Sequence, residues 1–235
     1  MLVIGHRGAA GLAPENTVSS LQQGEIAASA IEFDLRKTRD GRIVVVHDES
    51  LKRTLGINRK LKRLSLAEVK SVSRQEGKEV PTLSEWLSAA SNFPLNPEIK
   101  ETGFEAEALK LLREFASKVL VITSWNPLVL KRIRALDGNI PLGAIIAKPL
   151  GPFLRLYLKI LKMLGVRWIT LAAGMASDRV IAKLKQAGMK IFVYTINDPR
   201  DAARLEQRGV DGIFTDYPNL MVKQYDKSHS LQPNG

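Results

Sequence analysis

The chain has 235 residues, 45% of them hydrophobic and 25% charged, with a formal net charge of +11 and no cysteine. That size and balance suit one globular domain with a full core. They exclude disulfides and thiolate zinc sites, and no apolar run reaches the roughly 18–20 residues of a membrane span. The positive charge favours anionic partners (phosphate compounds, nucleic acid or an anionic membrane) without choosing among them. The start, Met-Leu-Val-Ile-Gly-His-Arg-Gly, lacks the pattern of a signal peptide and reads as a strand entering a loop, so a cytoplasmic protein is expected.

Short β-type runs alternate with amphipathic stretches. Strands are expected at Leu2–Ile4, Ile31–Leu35, Ile43–Val46, Leu95–Lys100, Val119–Thr123, Leu142–Ala147, Trp168–Leu171, Ile191–Ile196 and Gly212–Thr215. Helices are expected between them. Asn16 is read as the N-cap of Thr17–Ala28, and Thr82 with Glu85 forms a capping box for Leu83–Ala90. The others are Phe104–Phe115, Pro127–Leu136, Phe153–Leu164, Asp178–Gln186 and Pro199–Gln207, with Gly165, Gly188 and Gly209 at C-terminal caps.

This alternation argues for α/β with a parallel sheet, and polar clusters after many strands favour a barrel over an open sheet. Nine strand candidates exceed eight by one. Arg39-Asp40-Gly41-Arg42 leaves no room for a crossover helix, so the barrel should start irregularly with one segment outside the regular set. The expected domain is 1–225. Within it, Lys- and Arg-rich residues 49–80 form a small insertion over the mouth, with one helical piece at Leu66–Ser73, and 226–235 form a polar tail.

Chemistry-bearing residues gather at strand ends: His6 and Arg7, Glu32 and Asp34, His47 and Asp48, Glu98 and Lys100, and Asn197 and Asp198. In an α/β barrel those ends share one mouth. Residues two apart on a strand face the same way, so Glu32 with Asp34, and Glu98 with Lys100, can reach one point. Three carboxylates without thiolates favour a hard divalent cation, Mg²⁺ or Ca²⁺; taken singly, such acids often only pair with Lys and Arg at a rim. His6 and His47 can supply the acid and base of a displacement at phosphorus, while His229 lies in the polar tail. Arg7 and Lys100 suit phosphate oxygens, and Lys100 can also bridge to Glu98 or Asp34.

The chain resembles the glycerophosphodiester phosphodiesterases. The resemblance rests on His6-Arg7-Gly8, Pro14-Glu15-Asn16-Thr17, Glu32-Phe33-Asp34, Thr38-Arg39-Asp40-Gly41, His47-Asp48, Leu51-Lys52-Arg53-Thr54, Pro81-Thr82-Leu83, Glu98-Ile99-Lys100, Val193-Tyr194-Thr195 with Asn197, and Gly212-Ile213-Phe214-Thr215-Asp216-Tyr217-Pro218. It implies an irregular TIM (β/α)8 barrel with a small insertion after the third strand. It implies a divalent cation, Mg²⁺ or Ca²⁺, on Glu32, Asp34 and Glu98, proton transfer by His6 and His47, and substrate contacts from Arg7, Lys100, Glu15 and Asn16. The implied reaction hydrolyses a small glycerophosphodiester to sn-glycerol 3-phosphate and an alcohol.

Three positions depart from that pattern: Pro97 in place of a β-branched residue, Ile196 in place of Trp, and Trp125 in place of Phe. Proline should leave its strand distorted or edge-like before Glu98. An alternative is a lysophospholipase D at a membrane surface, prompted by Arg155, Lys159 and Lys162 on the 153–164 helix, where peripheral membrane contact competes with a plain solvated face. A non-catalytic anion-binding barrel would lack a catalytic group, and none is missing. Nucleic acid is not expected as a partner, since no recognised motif is present and aromatics do not interleave with the basic runs.

Overall fold

A computed structural model describes residues 1–91, 93–114 and 118–225. Eight parallel strands close into a ring: β1 (Leu2–Gly5), β2 (Ala30–Lys37), β4 (Leu95–Ile99), β5 (Ile122–Ser124), β6 (Leu142–Ile146), β7 (Trp168–Ala172), β8 (Lys190–Tyr194) and β9 (Gly212–Thr215). Pairing of β1 with both β9 and β2 closes it. The ninth strand, β3 (Ile43–Val45), runs antiparallel to β2 and lies outside the ring, as the turn at Arg39–Arg42 requires. The fold is the expected irregular TIM barrel.

The helices are α1 (Val18–Ala27), α2 (Lys52–Leu55), α3 (Leu66–Gln75), α4 (Leu83–Ala89), α5 (Glu105–Arg113), α6 (Pro127–Leu136), α7 (Leu154–Met163), α8 (Asp178–Gln186), α9 (Pro199–Gln207) and α10 (Pro218–Tyr225). Thr82 and Glu85 form the expected capping box. Gly165, Gly188 and Gly209 have left-handed φ values after their helices. The Asn16 reading is corrected: Thr17 caps α1, and Asn16 stands just outside with φ 60°. Helix α2 escaped the sequence because four residues carry no period, and α10 because it follows the last strand without a partner motif. Phe115 and His229 lie outside the described residues. Among the described residues no helix is long and apolar enough to cross a membrane.

Two residues of alternation explain why the barrel holds both a plug and a site. Ile31, Phe33 and Leu35 of β2 turn outward into the layer between sheet and helices, where Phe33 meets Trp86 with ring centroids 5.0 Å apart. Removing that fully buried indole would cost about 3–5 kcal/mol. The inward set of neighbouring strands, Ile4, Ala30, Phe192 and Phe214, packs as a separate interior cluster. Phe192 stacks on Trp168 at 4.3 Å, and a Cβ on Gly212 would stand 2.4 Å from the Phe192 ring. The next inward positions toward the strand ends are His6, Glu32 and Tyr194. The apolar plug therefore floors the polar mouth.

Of the two expectations for Pro97, a distorted strand is found and an edge strand is not. It sits in a fully buried strand between β2 and β5, aligned with Phe33. The missing N–H is felt on the β5 side, where regular pairing shrinks to Glu98 with Thr123, supplemented by a bridge between Leu95 and Val119.

Residues 49–80 carry α2, a 3-10 turn at Leu61–Arg63, and α3. Leu51, Leu55, Leu61, Leu64, Val69 and Val80 pack with Val44 and Val46 of the β3 segment into a small core of their own. This core anchors Arg53 beside the mouth.

Candidate active site

A cavity of about 330 Å³ opens at the strand ends. One wall is charged: His6, Arg7, Glu32, Arg36, His47, Glu98 and Lys100. The other is mostly uncharged: Thr123, Trp125, Ile145, Ala147, Thr170, Tyr194, Thr195 and Phe214.

The loop after β1 reaches the charged wall through unusual backbone. Arg7 and Asn16 have φ of 52° and 60°, which costs a non-glycine residue about 1 kcal/mol or more. Polar contacts hold both. The Arg7 backbone N–H donates to Glu32 Oε2 at 2.8 Å. Asn16 is nearly inaccessible; its amide donates to Asp34 Oδ2 at 2.8 Å, and its Oδ1 accepts from the Asp34 N–H at 3.1 Å.

Glu32, Asp34 and Glu98 are buried, and each offers an oxygen within 4.8 Å of the others. Lys100 Nζ lies 3.0 Å from Asp34 Oδ1 and 2.8 Å from Glu98 Oε2. Burial opposes ionisation of Asp34, but Lys100, His47 and Arg7 outweigh it and hold this carboxyl well below its usual range. Glu98 is pushed up to about 7, chiefly by burial and by Asp34 against the pull of Lys100. Burial and the charges of Asp34 and Glu98 raise Glu32 well above its ordinary value. One ammonium thus leaves the cluster short of positive charge. Three converging carboxylates could serve as oxygen donors to a hard divalent cation.

Each candidate histidine is held by an aspartate. His6 Nδ1 lies 2.7 Å from Asp216 Oδ1, and Asp216 Oδ2 accepts from Asn197 Nδ2 at 2.8 Å. His47 Nδ1 lies 2.7 Å from Asp48 Oδ1, and Asp48 Oδ2 accepts from Arg53 Nε at 2.6 Å. An ionised carboxylate only accepts, so in neutral His6 and His47 the proton sits on Nδ1 and leaves Nε2 free. Burial lowers the proton affinity of His47; Lys100 and Arg7 lower it further, against Asp34 and Asp48.

The nine residues expected to carry protons, metal or substrate converge on this mouth, though not all face the cavity; Asp198, also expected at the mouth, instead caps α9. Glu15 is taken up by Arg7 at 3.0 Å and by Arg53 at 2.5 and 2.8 Å, and Asn16 by Asp34. Arg7 lines the cavity, with its Nε 3.6 Å from Asp34 Oδ2. Asp216, Arg53 and Arg36 join the site without a role expected from the sequence. Arg36 was within its reach, being two residues beyond Asp34 on β2; its Nε donates to the His47 carbonyl at 2.6 Å. The contacts of Asp216 with His6 and of Arg53 with Glu15 join groups far apart in the chain, and no spacing rule pairs them.

Residues 6–220 match the family model of the glycerophosphoryl diester phosphodiesterase family. A glycerophosphodiester phosphodiesterase of Bacillus altitudinis is 30% identical, over 94% of this chain and 96% of its own. A lysophospholipase D of Homo sapiens is 25% identical, over 93% and 84%. Among solved structures, an Oleispira antarctica phosphodiesterase in complex with the product sn-glycerol-3-phosphate is 27% identical, covers 97% of both chains and superposes with a TM-score of 0.84.

Proposed function

The chain belongs to the glycerophosphoryl diester phosphodiesterase family, and on that premise we propose that it hydrolyses glycerophosphodiesters to sn-glycerol 3-phosphate and an alcohol. The observation that carries this reading is one cavity with a buried carboxylate triad and two aspartate-held imidazoles on its charged side. Glu32, Asp34 and Glu98 would hold Mg²⁺ or Ca²⁺, whose contribution when bound is Lewis-acid polarisation of a phosphoryl oxygen. Asn16 keeps Asp34 aimed, and the Arg7 N–H keeps Glu32 aimed.

Arg7 and Lys100 stand where negative charge builds on the phosphoryl oxygens. Glu15 serves the substrate indirectly, by fixing Arg7. His47 has a lowered proton affinity, so it is neutral at neutral pH and takes the proton of the attacking hydroxyl through Nε2. The attacking oxygen, from water or from the neighbouring glycerol hydroxyl, forms its bond to phosphorus as the bond to the alcohol oxygen breaks. His6, acting in its protonated form with Nδ1–H held by Asp216, gives that oxygen the proton from Nε2 and is left neutral. A glycerol hydroxyl attack passes through a cyclic phosphate, which water then opens.

The uncharged wall of Trp125, Ile145, Ala147 and Phe214 takes the part of the substrate that carries no charge. It also favours a narrower reading, a lysophospholipase D, in which that part is a lipid. Turnover of a head-group panel, lysophospholipids included, under Mg²⁺, Ca²⁺ and EDTA tests both. Release of sn-glycerol 3-phosphate that EDTA stops is expected. No turnover of any glycerophosphodiester with either metal overturns the proposal.

A further inference from the structure

Helix α7 presents three different faces. Leu158 and Leu161 are buried against the barrel. Arg155, Lys159 and Lys162, at i, i+4 and i+7, form an exposed basic stripe. Phe153, at its start, and Leu156, Ile160 and Met163 fall at i, i+3, i+7 and i+10, on a second outer stripe beside the first. They are 70%, 59%, 43% and 86% exposed. A barrel helix with an ordinary solvated face does not carry four large apolar side chains in one exposed row.

The surroundings are positively charged. Lys183 of α8 lines one groove with Arg155, Lys159 and Lys162, and no acidic residue lines it. None of these four cations has an ion-pair partner among the described residues. Residues 138–177 contain Lys148, Arg155, Lys159, Lys162 and Arg167 and no Asp or Glu.

We propose that the outer face of α7, with Lys183, docks the protein on an anionic lipid surface. The apolar row enters the boundary between headgroups and acyl chains, and the adjoining cations reach lipid phosphates. Their aliphatic stems lie along the apolar row while their charged ends point to the headgroups. A second copy of the chain is a poor occupant, because it would set cations against cations. A soluble polyanion would engage the cations and leave the apolar row in water.

The test is binding, so it is independent of the proposed hydrolysis. The protein is co-sedimented with vesicles of phosphatidylglycerol and phosphatidylcholine, and with phosphatidylcholine alone, at low and high salt. The expected result is binding to the anionic vesicles only, weakened by salt. Lys159→Gln and Lys162→Gln should each weaken it about fivefold, and Phe153→Ser with Ile160→Ser by ~10-fold or more. None of these side chains is in the buried core, so melting temperature and turnover of a soluble substrate should stay at the parent values. No binding to anionic vesicles at low salt overturns the proposal. So does binding that the serine variant leaves unchanged, which would mark plain polyanion attraction. A dimer in light scattering that the serine variant dissociates overturns it too.

Discussion

His6 Nδ1 and Asp216 Oδ1 lie 2.7 Å apart although 210 residues separate them in the chain. The contact joins the end of β1 to the loop after β9, the two strands whose pairing helps close the ring. In the proposed reaction Asp216 positions His6 with Nε2 toward the cavity. Asp216→Asn should therefore lower kcat on the order of 10²-fold with KM little changed. Steady-state kinetics beside a melting curve checks this. A fall in melting temperature with normal kcat would make the contact merely structural.

His6→Ala and His47→Ala should each cost at least ~10²-fold in turnover. The double variant should be little worse than the less active single one, since both act in the same displacement and loss of either already disables it. Purified variants assayed with a soluble glycerophosphodiester decide it, and near-normal turnover by either single variant removes that histidine from the chemistry.

Burial, Lys100 and Arg7 lower the proton affinity of His47. A base with a lowered pKa remains neutral further into acid. The acid limb of kcat/KM should accordingly fall below the ordinary imidazole value of about 6.5, and the limb should vanish in the residual activity of His47→Ala. A limb at or above 6.5 would contradict the role of base.

Chelation should abolish activity, with Mg²⁺ or Ca²⁺ restoring it. The three carboxylates repel one another in a buried site that Lys100 alone incompletely neutralises, so a bound divalent cation should also raise the melting temperature by mass action. Glu32→Gln should lose that thermal response. Full activity in EDTA, or a thermal response unchanged by the substitution, would count against the triad.

Glu15 links Arg53 of the 49–80 segment to Arg7 of the first loop. Burial works against its ionisation, but hydrogen bonding from Arg53 and the charge of Arg7 prevail and lower its pKa. A carboxylate with a lowered folded-state pKa contributes stability that is fully present above its unfolded pKa of about 4.3 and is lost as pH falls through the folded value. Glu15→Gln should thus cost about 1 kcal/mol near neutral pH, and the gap to the parent in urea unfolding should narrow below pH ~4.3.

Gly8 has φ 88°, and a Cβ there would lie 2.6 Å from the Ser20 carbonyl carbon and 2.7 Å from Ser20 Cβ. Gly8→Ala should cost at least ~1 kcal/mol for the left-handed backbone, with the clash added. For a domain of this size each kcal/mol corresponds to ~2–4 °C in melting temperature. An unchanged melting temperature would mean that the loop moves freely off α1.

Local chemistry made much of this molecule legible in the chain alone. Near-continuous Val, Ile and Leu runs marked the parallel strands, Thr82 with Glu85 marked a helix start, and the period of two put Glu32 with Asp34 and Glu98 with Lys100 on common faces. Those are interactions between near neighbours, which spacing encodes. Asn16 was misread as a cap because Asn suits a cap by type; its partner Asp34 is set by a fold-back of the loop that no local rule contains. Pro97 predicts a strand that is either distorted or at an edge; it is distorted on the β5 side and not at an edge, because the closure of the ring leaves no edge there. The Asp216–His6 and Arg53–Glu15 contacts, the apolar plug beneath the site and the exposed row on α7 depend on which distant elements the closed barrel sets side by side. Local sequence determined strands, caps and the facing of each carboxylate; only tertiary packing decided their partners, because partnership depends on distance through space and not along the chain.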